Sequence, residues 1–169
     1  MNKKIWLISG LAITVVILLI VISRNEPPRV QKKTAEDEMP DFKFQLTDGT
    51  FIQASDMDAE KYTLLWFFNP DCDLCVHEIQ LLTDSISLLD NCQILWISYE
   101  DSTRVAAFYE EFRLKNFSSI HVAYASVESV FNLFKIYAVP TLYVYHPDRR
   151  MLKYKPGPVT IREIIEYLK

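Results

Sequence analysis

Apolar and polar positions along this chain change their period several times, and each change marks an element. Tyr62-Thr63-Leu64-Leu65-Trp66-Phe67-Phe68 is a near-continuous β-favouring run, which predicts a strand covered on both faces. Asn69-Pro70-Asp71 breaks it. From Val76 to about Leu89 the apolar residues return at helical spacing, so this stretch predicts a helix. A second strand follows at 93–99, opened by Cys92. Ser102 to about Lys115 predicts a helix with Ser102 or Asp101 as cap and Val105, Phe108, Tyr109 and Phe112 on one face. Ile120–Tyr124 predicts a short strand. Ser126 to about Phe134 predicts a helix with Val127, Val130, Phe131 and Phe134 turned inward. Thr141–Tyr145 and Met151–Tyr154 predict a hairpin around His146-Pro147-Asp148-Arg149-Arg150, and Thr160 caps a closing helix to Leu168. Before all of these, Phe42–Leu46 alternates and turns through Thr47-Asp48-Gly49-Thr50 into Phe51-Ile52. Helices alternating with strands, followed by a hairpin and a helix, give an α/β fold with a central sheet.

The start of the chain follows a different pattern. Ile5 to Ile22 is uncharged and apolar, with Lys3 and Lys4 before it and Arg24 after it. That is the length of a transmembrane helix. It lacks the small-x-small site of a cleaved signal peptide, and no cysteine follows closely for a lipid anchor. A core helix of this length would show a polar face. The organisation expected is therefore an anchor over 1–23, a linker over 24–38 containing Pro27-Pro28, and a folded domain over 39–169. Lys3 and Lys4 are opposed by Arg24, Arg29, Lys32 and Lys33, so the positive-inside rule leaves orientation open. A single N-terminal anchor commonly serves as an export signal, which favours a bacterial cytoplasmic membrane protein whose domain faces the periplasm or cell exterior.

Charge narrows the partners. From Met39 onward there are 12 Lys and Arg against 18 Asp and Glu, a net of −6, which speaks against a nucleic-acid partner.

The chemistry lies in Cys72-Asp73-Leu74-Cys75, where the 62–68 strand gives way to a helix. A thiol there faces unpaired backbone N–H groups and the positive end of the helix dipole, both of which favour thiolate. Two cysteines three apart can also be half of a zinc site. Four ligands are needed for that, and only Cys92, His77, His121 and His146 remain, with no second CxxC and no His-x-x-x-His. Haem attachment fails because Val76 follows Cys75. Neither a metal nor another cofactor is expected. Cys92 is read as a small core residue and His77 as a partly exposed helix residue.

With these motifs in hand, residues 39–169 resemble the thioredoxin-fold proteins, and among them the membrane-anchored TlpA/ResA-type thiol-disulfide oxidoreductases. The likeness rests on Cys72-x-x-Cys75 after a strand, on Val139-Pro140-Thr141 before a strand, and on the Asp48-Gly49 hairpin. It implies a mixed sheet flanked by helices, a cis Pro140 lying against the cysteines, and a substrate-binding role for Val139 and Pro140. It also implies that Glu78, one turn after Cys75, sits near the thiols and relays a proton to Cys75; a solvated helix carboxylate is the alternative. Thioredoxins proper carry a buried aspartate where Trp66 stands. The family often has aromatic-Cys-x-Pro-Cys, where this chain has Asp71-Cys72-Asp73-Leu74-Cys75; Asp71 and Asp73 flank Cys72, so they are expected to oppose its thiolate and favour an electron donor over an oxidant.

The function expected is reduction or isomerisation of disulfides in extracytoplasmic proteins by the Cys72/Cys75 dithiol, which is recharged by a membrane or periplasmic thiol donor. A non-catalytic or metal-delivery module is one alternative. A peroxiredoxin-like peroxidase is another, but its Pro-x-x-x-Thr/Ser-x-x-Cys pattern would need other residues than Leu65 and Asn69.

Overall fold

The computed structural model describes residues 35–169. Seven strands form one sheet: β1 (Lys43–Leu46), β2 (Phe51–Gln53), β3 (Tyr62–Phe67), β4 (Cys92–Ser98), β5 (Ile120–Tyr124), β6 (Thr141–Tyr145) and β7 (Met151–Pro156), in the order β2-β1-β5-β4-β3-β6-β7. β3, β4 and β5 run parallel, while β1 and β6 flank them antiparallel. Besides three short 3-10 turns, the helical segments described are α1 (Asp73–Asp84), α2 (Ser102–Glu111), α3 (Val127–Ser129, running on as a π turn over Val130–Phe134) and, after β7, α4 (Ile161–Tyr167). This is a thioredoxin-like α/β fold with a mixed sheet flanked by helices.

β3 is central and buried from Thr63 to Phe67, which explains its unbroken apolar character. Its alternate residues feed two cores. Leu64 and Trp66 join Cys75, Ile79 and Leu82 of α1, Val105 and Phe108 of α2, and Ile164 of α4. Leu65 and Phe67 join Phe42 and Phe44 of the first hairpin with Val130 and Phe134. The sheet is therefore a wall between two apolar layers.

Local chemistry sets the element ends. Asp101 accepts from Thr103 N–H at 2.9 Å and caps α2, while Thr160 and Glu163 form a reciprocal capping box at α4. In the β1–β2 turn the Asp48 carboxylate accepts from the Thr50 N–H and hydroxyl, and Gly49 takes φ 87°.

Besides one-residue shifts at the ends of β1, β3 and β4, three boundaries differ from those the pattern predicts. α1 stops at Asp84 and a separate 3-10 turn covers Ile86–Leu89. α2 stops at Glu111, where Arg113 adopts φ 49° and cannot continue a helix. β7 runs on to Pro156. The inward face of α3 also needs correction. Val130 and Phe134 are fully buried, but Val127 and Phe131 are 52% and 38% exposed. The widened π turn rotates the stripe that a regular helix would present. Phe131 instead meets the exposed Tyr137 edge-on, with centroids 5.6 Å apart.

The expected span over 5–22 lies outside the described residues, as does most of the 24–38 stretch. Among the described residues no helix is long and apolar enough to cross a membrane. Residues 35–38 lie against the β6–β7 hairpin: Tyr145 Oη donates to the Ala35 carbonyl at 2.7 Å, and the backbones of Glu38 and Arg150 form an antiparallel β-bridge.

Truncating Phe134, which touches four aromatic rings from buried positions, should cost about 3–5 kcal/mol in chemical denaturation. Phe131→Ala should cost less than about 1 kcal/mol, because its ring is already partly solvated.

Candidate active site

Cys72 is the N-cap of α1, with extended φ,ψ of −91° and 110°. Its Sγ accepts from the Cys75 backbone N–H at 3.3 Å, so the sulfur sits on a donor that the first helical turn leaves unpaired. Cys72 is half-buried and Cys75 fully buried, one turn further in. Both are free thiols. Burial pushes the Cys75 thiol well above the ordinary range, and contact with Cys72 and the charges of Cys72 and Glu78 add to this; the Asn69 backbone pulls the other way. The two sulfurs therefore occupy unlike environments.

The turn before Cys72 is tightly tied. Asn69 Oδ1 accepts from the Asp71 N–H at 2.8 Å, and the Asn69 carbonyl accepts from the Cys72 N–H at 3.1 Å. Across the sheet end, Asn69 Nδ2 donates to Glu100 at 2.6 Å, and Arg104 pairs with both Glu100 and Asp71. Tyr99 also faces this corner: burial raises its phenol first, followed by the charges of Glu100 and Cys75.

The Val139–Pro140 peptide bond is cis, as the family resemblance implies. Thr141 is the register partner of Phe67, so Val139 and Pro140 fall at the sheet end where β3 leads into the cysteines. Pro140 is buried and Val139 half-buried. The Pro140 carbonyl accepts from the Gly157 N–H at 2.8 Å, which ties this loop to the end of β7.

Glu78 is not a solvated helix carboxylate. It is 2% exposed, within the stripe Cys75, Glu78, Ile79, Leu82 that α1 turns to the core. Its Oε2 accepts from Trp66 Nε1 at 2.9 Å and its Oε1 from the Val159 N–H at 2.6 Å. Trp66 is itself stacked on Trp96, with centroids 4.9 Å apart. Burial raises the Glu78 carboxyl to about 7; the two hydrogen bonds and the Lys155 charge oppose that rise without cancelling it. In the sequence Trp66 stands out only as the residue in the aspartate's place. Its hydrogen bond to Glu78, and that of Val159, carry no local signal. Cys92 is buried in the core with its thiol pushed up to about 12, as befits a small apolar residue. His77 is exposed on α1. Among the described residues, no cluster of His, Cys, Asp and Glu could hold a metal ion.

The Glu78 carboxyl titrates at about 4.5 when the chain is unfolded and at about 7 when folded, so the folded state holds the proton more tightly. Its contribution is complete below about pH 4.5 and is lost as pH rises to about 7, a change on the order of 3 kcal/mol. Unfolding free energies measured from pH 4.5 to 8 should show this decline, and Glu78→Gln should flatten it.

The same fold recurs in solved proteins of low sequence similarity. A secreted disulfide oxidoreductase of Mycobacterium tuberculosis is 15% identical, with a TM-score of 0.62 over 75% of this chain and 92% of its own. The thioredoxin domain of a thiol-disulfide oxidoreductase from Bacteroides vulgatus is 14% identical, with a TM-score of 0.65 over 82% and 100%. A thioredoxin-like protein from Aeropyrum pernix is 14% identical, with a TM-score of 0.62 over 75% and 87%. No curated protein matches the chain. Residues 35–154, from the segment docked on the β6–β7 hairpin through nearly all of the sheet, match one family model, and on that match the chain belongs to the AhpC/TSA family.

Proposed function

We propose that this protein is a membrane-anchored thiol-disulfide oxidoreductase of the TlpA/ResA type, with Cys72 as attacking thiol and Cys75 as resolving thiol. The observation that carries the reading is the asymmetry of the pair. Cys72 is half-exposed and capped by a helix N–H, whereas Cys75 is buried one turn below beside a buried carboxylate.

The Cys72 thiolate attacks one sulfur of a protein disulfide. That disulfide breaks, its second sulfur leaves as a thiolate that takes up a proton, and a Cys72–substrate mixed disulfide forms. Cys75 then gives its proton to the Glu78 carboxylate and attacks the Cys72 sulfur. The substrate's first sulfur leaves and is protonated, and Cys72 and Cys75 end as a disulfide. Two electrons have passed to the substrate. A thiol donor outside the protein must return them before the next cycle. A raised Glu78 suits this step, because a carboxyl that titrates near neutrality both accepts and returns a proton. Val139 and Pro140 present a backbone edge beside Cys72 on which an extended substrate segment can pair.

The family name invites comparison with a peroxidase. The hydroxyl such a reaction needs three residues before the cysteine is replaced by Asn69, and the proline four before that by Leu65, buried within β3. A non-catalytic or metal-delivery role would use Glu78 only as the acceptor for Trp66 and Val159, and the asymmetry of the two thiols favours exchange over it.

Insulin reduction with dithiothreitol should be accelerated by the protein and lost in Cys72→Ser, while peroxide consumption stays at background. In cells, Cys75→Ser should accumulate mixed disulfides, Cys72→Ser should not, and Cys92→Ser should keep full activity. Equal trapping by both motif mutants would reverse the assignment of roles.

For location, the apolar 5–22 run is read as a tether, with the domain outside the cytoplasm. Protease added to intact spheroplasts should digest the domain. Full protection would place it on the cytoplasmic side.

A further inference from the structure

Asp71 and Asp73 put two carboxylates beside Cys72, an arrangement that by itself works against a thiolate. In the folded chain Asp71 does not stand alone. Arg104, in the first turn of α2, reaches it with one guanidinium nitrogen and reaches Glu100 with the other at 3.3 Å. Glu100 in turn accepts from Asn69 Nδ2 at 2.6 Å, and Asn69 holds both the Asp71 and Cys72 N–H groups. The result is a closed ring, Asn69–Glu100–Arg104–Asp71, linking the β3–α1 turn to the β4–α2 turn. Its one cation faces the carboxylate adjacent to Cys72.

We infer that Arg104 is a positioning residue for Cys72: it cancels the charge of Asp71 and holds the 69–71 turn, so that the nucleophilic sulfur keeps its helix donor, the Cys75 N–H, without a free carboxylate beside it. An arginine suits this place because its planar fork serves two carboxylates at once, which a lysine does less well. Isolated surface ion pairs contribute little, but this guanidinium is shared by two carboxylates and tied to the backbone through Asn69. The inference rests on the reading of Cys72 as the attacking thiol, and it corrects the expectation that both flanking aspartates oppose its thiolate: only Asp73 is left to act in full.

The test is the rate at which iodoacetamide alkylates Cys72 in the reduced full-length protein at pH 7, resolved by peptide mass spectrometry. Arg104→Met should slow it about three- to fivefold, and Arg104→Lys, which keeps the charge but not the fork, should recover part of the loss. Asp71→Asn should speed it, and Asp71→Asn with Arg104→Met should return to within about twofold of wild type, because one charge of each sign has gone. Unfolding midpoints separate a charge effect from a loss of structure. Arg104→Met within about 1.5-fold of wild type, or a double variant as slow as Arg104→Met alone, would overturn the inference. So would Asp71→Asn that is no faster than wild type, an arm that does not depend on Arg104→Met folding. Alkylation needs no disulfide exchange. If the wild-type Cys72/Cys75 pair fails to reduce insulin, the oxidoreductase reading falls while this series still decides the role of Arg104.

Discussion

Everything at the active end of this domain follows from the pairing of β3 with β4 on one side and β6 on the other. β3 is buried on both faces, so a register slip of one residue would exchange its two apolar sets between unlike cores. With the register fixed, Phe67 meets Ile97 and Thr141, and three turns arrive at one sheet end: the one that becomes Cys72, the one that carries Glu100 and Arg104, and the one that carries Val139 and Pro140. No two of these turns are close in sequence. The sheet alone brings them together.

The same strand supplies the second constraint. Trp66 points to the α1 side and presents an indole N–H inside an apolar layer, where an unpaired donor is costly. Glu78 answers that donor and the Val159 N–H together. The carboxylate is therefore a structural tie between β3, α1 and the start of α4 as well as a chemical group next to Cys75. Its titration near neutrality is the consequence: two donors favour the ion, but the surrounding core disfavours it more. Where thioredoxins proper place an aspartate on the strand, this chain places the acid on the helix and its donor on the strand.

These features differ in how legible they were from sequence. The strand at 62–68, the CxxC at its end and the Val139-Pro140-Thr141 step are local patterns, and they gave the fold and the site's centre. The burial of Glu78 was also open to reading: positions 75, 78, 79 and 82 form one helical stripe, and the core-facing side of that stripe is otherwise apolar. Its partner Val159 was not readable, since it lies 81 residues away and contributes only a backbone N–H. Arg104 carries no local signal, and only the packing of two βα turns gives it a neighbour in Asp71. The inward face assigned to α3 failed for a different reason. A π turn has the same residue types as an α-helix but a different pitch, so a spacing rule built on 3.6 residues selects the wrong pair.

Three acids surround this dithiol, and their environments divide the work among them. Glu78 is buried, titrates near neutrality and lies one helical turn after Cys75, the thiol proposed to resolve. Asp71 is exposed but matched by a cation that is itself shared. Asp73 is exposed in the first turn of α1, where the helix dipole stabilises its charge and where the same charge opposes a thiolate on Cys72. A less stabilised thiolate makes the reduced form the better electron donor. On the reading proposed for Cys72 and Arg104, covering Asp71 while leaving Asp73 places the sulfur between a site crowded by two free carboxylates and a site with none. A site with both carboxylates uncovered would be slower to attack. A site with neither would move toward the oxidising end, away from the donor role proposed for this chain.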